Sequence, residues 1–163
     1  MSTTSSPPAA RPPALHVTAS EVGFVGTPAG MTGAQLRSIQ IALMEYGPVE
    51  VHLAGRRGAD EQVFEIADRL RLWRMVHPGI TPHPGDCPAC HGDIRFPAKS
   101  EDQRFSDIAV ASGVLLAAPS DAHPAPGCRT WWTVHHAREL GRPVVLVLPD
   151  GSMTRWEVTS RNR

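Results

Sequence analysis

The chain has 163 residues, the length of one ordinary domain, and a domain of that size buries about two-thirds of the surface its unfolded chain exposes. Sixteen Lys and Arg balance sixteen Asp and Glu, which excludes a global field drawing the protein to nucleic acid or an anionic membrane and leaves any anion to a local site. No apolar stretch approaches the roughly 18 residues of a membrane span, the nearest, IAVASGVLLAA at residues 108–118, being broken by Ser and Gly.

The opening MSTTSSPPAARPPALH lacks the basic and apolar regions of a secretory signal, and its Pro, Ser and Thr disfavour a packed core. Residues 1–19 read as a disordered tail and residues 20–163 as a single domain. EVGFVG (21–26) is a first strand, and TGAQLRSIQIALMEYGP (32–48) a first helix. In that helix Thr32 and Gln35 have capping-box spacing, Leu36, Ile39, Leu43 and Tyr46 recur on one face, and Gly47-Pro48 supplies the stop. VEVHL (49–53) is a second strand that runs through AGRRG into the helix ADEQVFEIADRLRLW, striped by Val63, Ile66, Ala67 and Leu70. WRMVHP (73–78) reads as a third strand, followed by a loop of roughly twenty residues that, counting Pro78 at its start, holds five prolines, a length that marks a functional or unstructured segment. A third helix starts at Ser100, and GVLLAAP (113–119) makes a fourth strand. APGCRTWWTVHHAREL (125–140) then supplies a fourth helix, RPVVLVLPDG (142–151) a fifth strand, and TRWEVTS (154–160) an added edge strand.

Strands that alternate with helices build right-handed βαβ units. The expectation is a doubly wound α/β fold, a Rossmann-like, mainly parallel sheet of about five strands with helices on both faces. Ligands of such folds bind beyond the carboxyl ends of the strands, where strand order reverses. Chemistry is therefore sought in the loops GTPAGMT, AGRRGAD and PSDAHPAPGCRT.

Two of these loops set Gly and Arg directly before a helix, which gives an anion close backbone approach, unpaired N–H groups, the positive helix end and a planar guanidinium. Gly26 and Thr27 in the first loop, and Gly55, Arg56, Gly58 and Ala59 in the second, are candidate phosphate contacts. Asp60 and Glu61 follow as acceptors for ribose hydroxyls. In the third loop Gly127, Cys128, Arg129 and Thr130 are candidates, with Thr130 as the helix cap. The same residue types also serve plain turns, but two such loops in one sheet favour binding. Neither has the spacing of G-x-G-x-x-G or of the Walker loop, which disfavours standard dinucleotide and nucleoside-triphosphatase assignments. Arg95, Lys99 and Arg104 precede the fourth strand, and Arg104 is the candidate there for a cationic wall. Trp131, Val134 and Ala137 form an apolar stripe, placing Trp131 in the core; Trp132, on the neighbouring face, stacks on a base or seals a subunit interface. His135 and His136 point about 100° apart, so at most one faces a ligand.

Three cysteines, an odd number, argue against a disulfide framework and for a reducing compartment, the cytoplasm. In HPGDCPACHGD the residues His83, Cys87, Cys90 and His91 make half of a zinc site, which His77 or Cys128 would complete. The competing reading is a Pro-rich lid with two ordinary thiols. A structural zinc is the one metal raised, and no cofactor is required.

Taken together, the blocks VGFVGTPAGMTGAQ, HLAGRRGADEQVFEIA, MVHP, RFPAKSEDQR, GVLLAAP and GCRTWWTVHHARELGRPVVLVLPDG resemble the SLOG superfamily of Rossmann-like proteins, which includes the DprA-like, YpsA-like and lonely-guy (LOG) proteins. The resemblance spans nearly all of residues 21–151 and is strongest to small stand-alone bacterial members. It implies a pocket for a nucleotide or nucleotide-derived ligand, an Arg before the fourth strand that reaches phosphate, a homodimer formed through helices beside the pocket and, in the LOG branch, hydrolysis of the N-glycosidic bond of a nucleoside monophosphate. LOG enzymes carry P-G-G-x-G-T-x-x-E. Aligning Thr130 with that Thr puts Arg129 at a Gly and Thr133 at the catalytic Glu, and a threonine cannot act as a carboxylate. The expected function is therefore binding of a nucleotide-like small molecule, with Thr133 lining the site. The alternative is a LOG-like phosphoribohydrolase taking its carboxylate from Asp60 or Glu61. A DprA-like single-strand binder is disfavoured by the neutral charge.

Overall fold

The structure, a computed structural model, describes residues 19–80 and 84–158. The tail expected over residues 1–19 lies outside them except for Ala19. Eleven elements follow in order: β1 (Glu21–Gly26), α1 (Gly33–Tyr46), β2 (Glu50–Leu53), α2 (Ala59–Arg69), β3 (Trp73–Val76), β4 (Ile94–Arg95), α3 (Glu101–Ala111), β5 (Val114–Ala118), α4 (Arg129–Glu139), β6 (Val144–Val147) and β7 (Met153–Trp156). The strands form one sheet in the order β4-β3-β2-β1-β5-β6-β7. All neighbours are parallel except β6 and β7.

The fold class is the expected doubly wound α/β arrangement, with seven strands where about five were expected. The two strands beyond those five lie at the edges, and one of them, β7, is the added edge strand expected over residues 154–160. Ile94 and Arg95 pair with Met75 and Val76 inside the long Pro-rich loop, and Met153–Trp156 returns antiparallel along β6. A strand of two residues carries no period of its own, so β4 exists only because the loop is brought back against β3.

Every residue of β5 is buried, as a strand covered on both faces requires. Val114, Leu116 and Ala118 face a core shared with α1 and α2, where Phe24, Ile39, Leu43, Val63 and Ile66 pack. Leu115 and Ala117 face a second core with Phe105 and Ile108 of α3 and Trp131 and Val134 of α4. Helix α1 has the predicted ends: the Thr32 hydroxyl accepts from the Gln35 amide at 3.0 Å, the Gln35 side chain accepts from the Thr32 amide at 3.1 Å, and Gly47 stops the helix at φ 56°.

Gln35 does more than cap. It is 1% exposed, and its Nε2 donates to Pro119 O at 2.8 Å and Val147 O at 3.0 Å, tying the carboxyl ends of β5 and β6 to α1. Gln35→Leu would leave these carbonyls and the Thr32 amide without their partner, and an unsatisfied buried polar group costs about 1–3 kcal/mol. We expect it to lower stability by roughly 3 kcal/mol, read from the urea midpoint at unchanged m-value. An unchanged midpoint would show that these bonds contribute nothing.

Candidate functional site

The order of strands reverses between β1 and β5. Chains leaving β1 and β2 turn to one side and those leaving β5 and β6 to the other, which opens a crevice beyond the paired ends Gly26 and Ala118. A cleft of about 280 Å³ lies there, lined by residues including Gly26, Thr27, Arg56, Asp60, Phe105 and Thr130. It continues past Gly127, Cys128 and Arg129 into an outer cleft of about 420 Å³, walled by Pro124, Pro126, Trp131, Trp132 and His135.

Close packing forms the inner wall. A Cβ on Gly26 would lie 2.5 Å from the Ala59 Cβ, and one on Gly58, at φ 86°, would lie 2.2 Å from Pro28 O. Only glycines let the start of α2 press this tightly on the loop after β1. One consequence runs against the sequence reading. The amide of Arg56 donates to Asp60 Oδ2 at 3.0 Å, that of Arg57 to Gly85 O at 2.6 Å, that of Gly58 to Glu61 Oε1 at 3.0 Å and that of Ala59 to Thr27 O at 3.0 Å. The AGRRG backbone is thus spent inside the protein and does not wrap a phosphate. What this loop offers the cleft is the Arg56 side chain. Gly55 opens on a different cavity, and Glu61 is turned back as a cap on α2.

Helix α4 is built the opposite way. Its N-cap is Cys128, with no side-chain cap and no acidic residue in the first turn, so Thr130, expected as the cap, is the second residue of the helix. Among the described residues no acceptor is found for the amides of Arg129, Thr130 and Trp131. Helices α1 and α3 are capped by Thr32 and Ser100, and α2 by Glu61. The positive end of α4 therefore meets the cleft uncompensated.

Side-chain charge gathers around one ring. The guanidinium groups of Arg56, Arg104 and Arg129 lie 5.1, 5.2 and 5.4 Å from the Phe105 centroid. Glu101 pairs with both Arg56 and Arg104, and Asp102 with Arg129 at 2.7 Å. Arg129 also lies 4.7 Å over Trp132. Phe105, Glu101 and Asp102 were missed by sequence reading, since nothing in a capped helix start marks which side chains will meet three arginines.

Asp60 is the carboxylate that lines the inner cleft, 5% exposed. Burial pushes its pKa up to about 6, against the lowering effect of the Arg56 amide and the nearby arginines. A buried carboxyl in a cleft whose pKa is raised to about 6 is ionised in the main at neutrality yet close enough to it to exchange a proton, which suits proton transfer. Thr133, by contrast, is wholly buried and donates to Arg129 O at 2.8 Å; it faces neither cleft. Trp131 lies in the core and Trp132 is 37% exposed, stacked on His136. His136 bonds Ser106 at 2.9 Å, which leaves His135 as the histidine on the outer cleft.

Among the described residues no group of three or more His, Cys, Asp or Glu is placed to hold a metal ion, and His83 lies outside the described residues. Cys87 and Cys90 are buried, His91 is exposed, Cys128 lines the main cleft, and His77 instead pairs with His52 at 2.9 Å and stacks on Phe96.

No protein-family model and no curated protein sequence matches the chain. Among solved structures, the molybdenum cofactor binding protein from the phototrophic bacterium Rippkaea orientalis aligns with a TM-score of 0.60 at 18% identity, over 78% of this chain and 76% of that one. The likeness shows a shared α/β fold. No helix among the described residues is long and apolar enough to cross a membrane.

Asp60 and His77 act oppositely on stability. The raised pKa of Asp60, about 6, means its contribution is present below its unfolded value near 3.8 and is lost as pH rises through 6. Burial lowers His77 to about 4, so its contribution is present above its ordinary 6.5 and is lost as pH falls. Asp60→Asn should gain stability over the wild type on going from pH 4 to pH 7, by on the order of 2–3 kcal/mol. Parallel stability–pH curves for the two proteins would contradict the assignment.

Proposed function

We propose that the protein binds a phosphate-bearing small molecule of nucleotide type in the cleft between β1 and β5. One observation carries this: the unpaired first-turn amides of α4 meet the cleft beside Arg129 and across from Arg56. Oriented N–H groups, a helix end and planar guanidiniums are what a phosphate or carboxylate needs. The outer cleft, walled by Trp131, Trp132 and His135, suits a flat ring system attached to that anion. The SLOG resemblance of the loop sequences supports the same ligand class, as does the fold shared with a molybdenum cofactor binding protein. That cofactor belongs in any ligand panel. Titration with nucleoside monophosphates and the matching nucleosides tests the reading. The monophosphates should bind and the nucleosides should not. Arg129→Ala should weaken the monophosphates by about ten-fold or more, the effect of one charge-assisted hydrogen bond. Equal binding of nucleoside and monophosphate would overturn it.

A second reading, LOG-like N-glycosidic hydrolysis, rests on Asp60. It is the cleft's own carboxyl, and its raised pKa fits a group that handles a proton near neutrality. Against it, Asp60 already accepts the Arg56 amide, and Thr133 supplies no carboxylate. Release of free base from a nucleoside monophosphate, reduced at least a hundred-fold by Asp60→Asn, would establish the enzyme. Binding without base release would leave the binding reading alone.

A further inference from the structure

Arg104 is the bulkiest of the fully buried side chains, 2% exposed. Its Nη2 donates to Glu101 Oε1 at 2.6 Å, whereas Nε and Nη1 find no acceptor among the described residues. A buried cation with orphan donors is costly, and here burial depresses the guanidinium pKa while Glu101 and Asp86 partly restore it.

The main cleft does not take up these donors. Arg104 opens instead on a separate cavity of about 170 Å³ at the carboxyl ends of β2 and β3, lined also by Gly55, Gly79, Asp86, Cys87 and Arg95. Gly79 keeps the face of the guanidinium clear, since a Cβ there would lie 3.3 Å from Nη1 and 3.4 Å from Cζ. The two compartments share one partition. Glu101 gives one carboxylate oxygen to Arg56, which lines the main cleft, and the other to Arg104, which lines the second cavity. Its side chain is 43% exposed, so it can swing to solvent while the arginines stay. A carboxylate bridging two guanidiniums occupies the place a phosphoryl group would take, with the same charge sign and bidentate geometry.

We propose that the cavity at Arg104 is a second anion subsite, which receives a second phosphoryl group of a ligand whose first phosphate lies at α4, and that Glu101 holds the two arginines until that ligand displaces it. The Asp86 carboxylate on the cavity wall sets a limit, favouring a phosphoryl group seated against Arg104 over one lodged deeper. The proposal rests on phosphate binding in the main cleft and adds the number of anionic groups.

The test is NMR titration of the whole chain, without divalent ions, using inorganic phosphate and pyrophosphate. Wild type should bind pyrophosphate at least ten-fold more tightly than phosphate, with the Arg104 Nε–Hε resonance moving only for pyrophosphate. Gly79→Ala, at a position with no positive φ, should bring the ratio below three while phosphate binding stays unchanged, and Arg104→Met should do the same. Glu101→Gln should tighten pyrophosphate three- to ten-fold. A ratio unchanged in Gly79→Ala, or weaker pyrophosphate binding by Glu101→Gln, overturns the second subsite. Phosphate binding without a pyrophosphate preference overturns it and leaves the main reading standing, whereas no phosphate binding at all overturns both.

Discussion

The parallel pairing of β1 with β5, in register from Val22 with Val114 to Gly26 with Ala118, is the constraint on which the rest of the structure depends. Two strands far apart in sequence lie side by side, while β2 and β6 continue the sheet in opposite directions. The loops leaving this pair must diverge, and the crevice they leave is the main cleft. The Thr27 amide extends the pairing one residue beyond the strands, donating to Ala118 O at 3.1 Å. Gln35 then pins the chains that leave β5 and β6 to the first helix. The site is therefore held by buried backbone bonds, and little about its walls depends on surface side chains.

The two glycine-arginine loops look alike in sequence and differ in where their amides go. The amides of the loop before α2 find acceptors within the protein, those of Arg56 and Gly58 on the Asp60 and Glu61 side chains of α2 itself, that of Arg57 on Gly85 O, and that of Ala59 on Thr27 O of the loop after β1. The loop before α4 has no neighbour that close, since a Cβ on Gly127 would meet nothing within 4 Å. Its helix starts uncapped toward the cleft. One loop thereby forms a wall of the cleft, with the Arg56 side chain on its lining, and the other is the proposed anion platform. The three guanidiniums gather around the Phe105 ring and are countered by Glu101, which Arg56 and Arg104 share, and by Asp102, both at the start of α3.

Much of this was legible in the residues. Capping box, apolar stripe and Gly-Pro stop set α1; alternating apolar runs and helical stripes gave the α/β class, and turn chemistry placed the loops. Arg56, Asp60, Gly127, Arg129 and Thr130 were singled out and do line the inner cleft. Gly55, Glu61 and Thr133 were singled out and point elsewhere. The difference lies in partners: position relative to a helix start can be counted along the chain, whereas which side chain turns back to an amide, as Asp60 and Glu61 do, and which distant segment supplies an acceptor, as Gly85 does, is set by the folded chain.

The sequence by itself determined the succession of the main strands and helices, the doubly wound class and the loops beyond the carboxyl ends of the strands as the place to look for a site, because periodicity and capping are local and act within one or two turns of chain. Only the tertiary structure decided which glycine loop keeps its amides unpaired, which carboxylate lies in the cleft, and that Arg104 faces a cavity of its own behind Glu101. Those outcomes depend on contacts between segments tens of residues apart, where a few tenths of an ångström in the packing of Gly26 on Ala59, or of Gly79 on Arg104, decides whether a polar group meets the protein or a ligand.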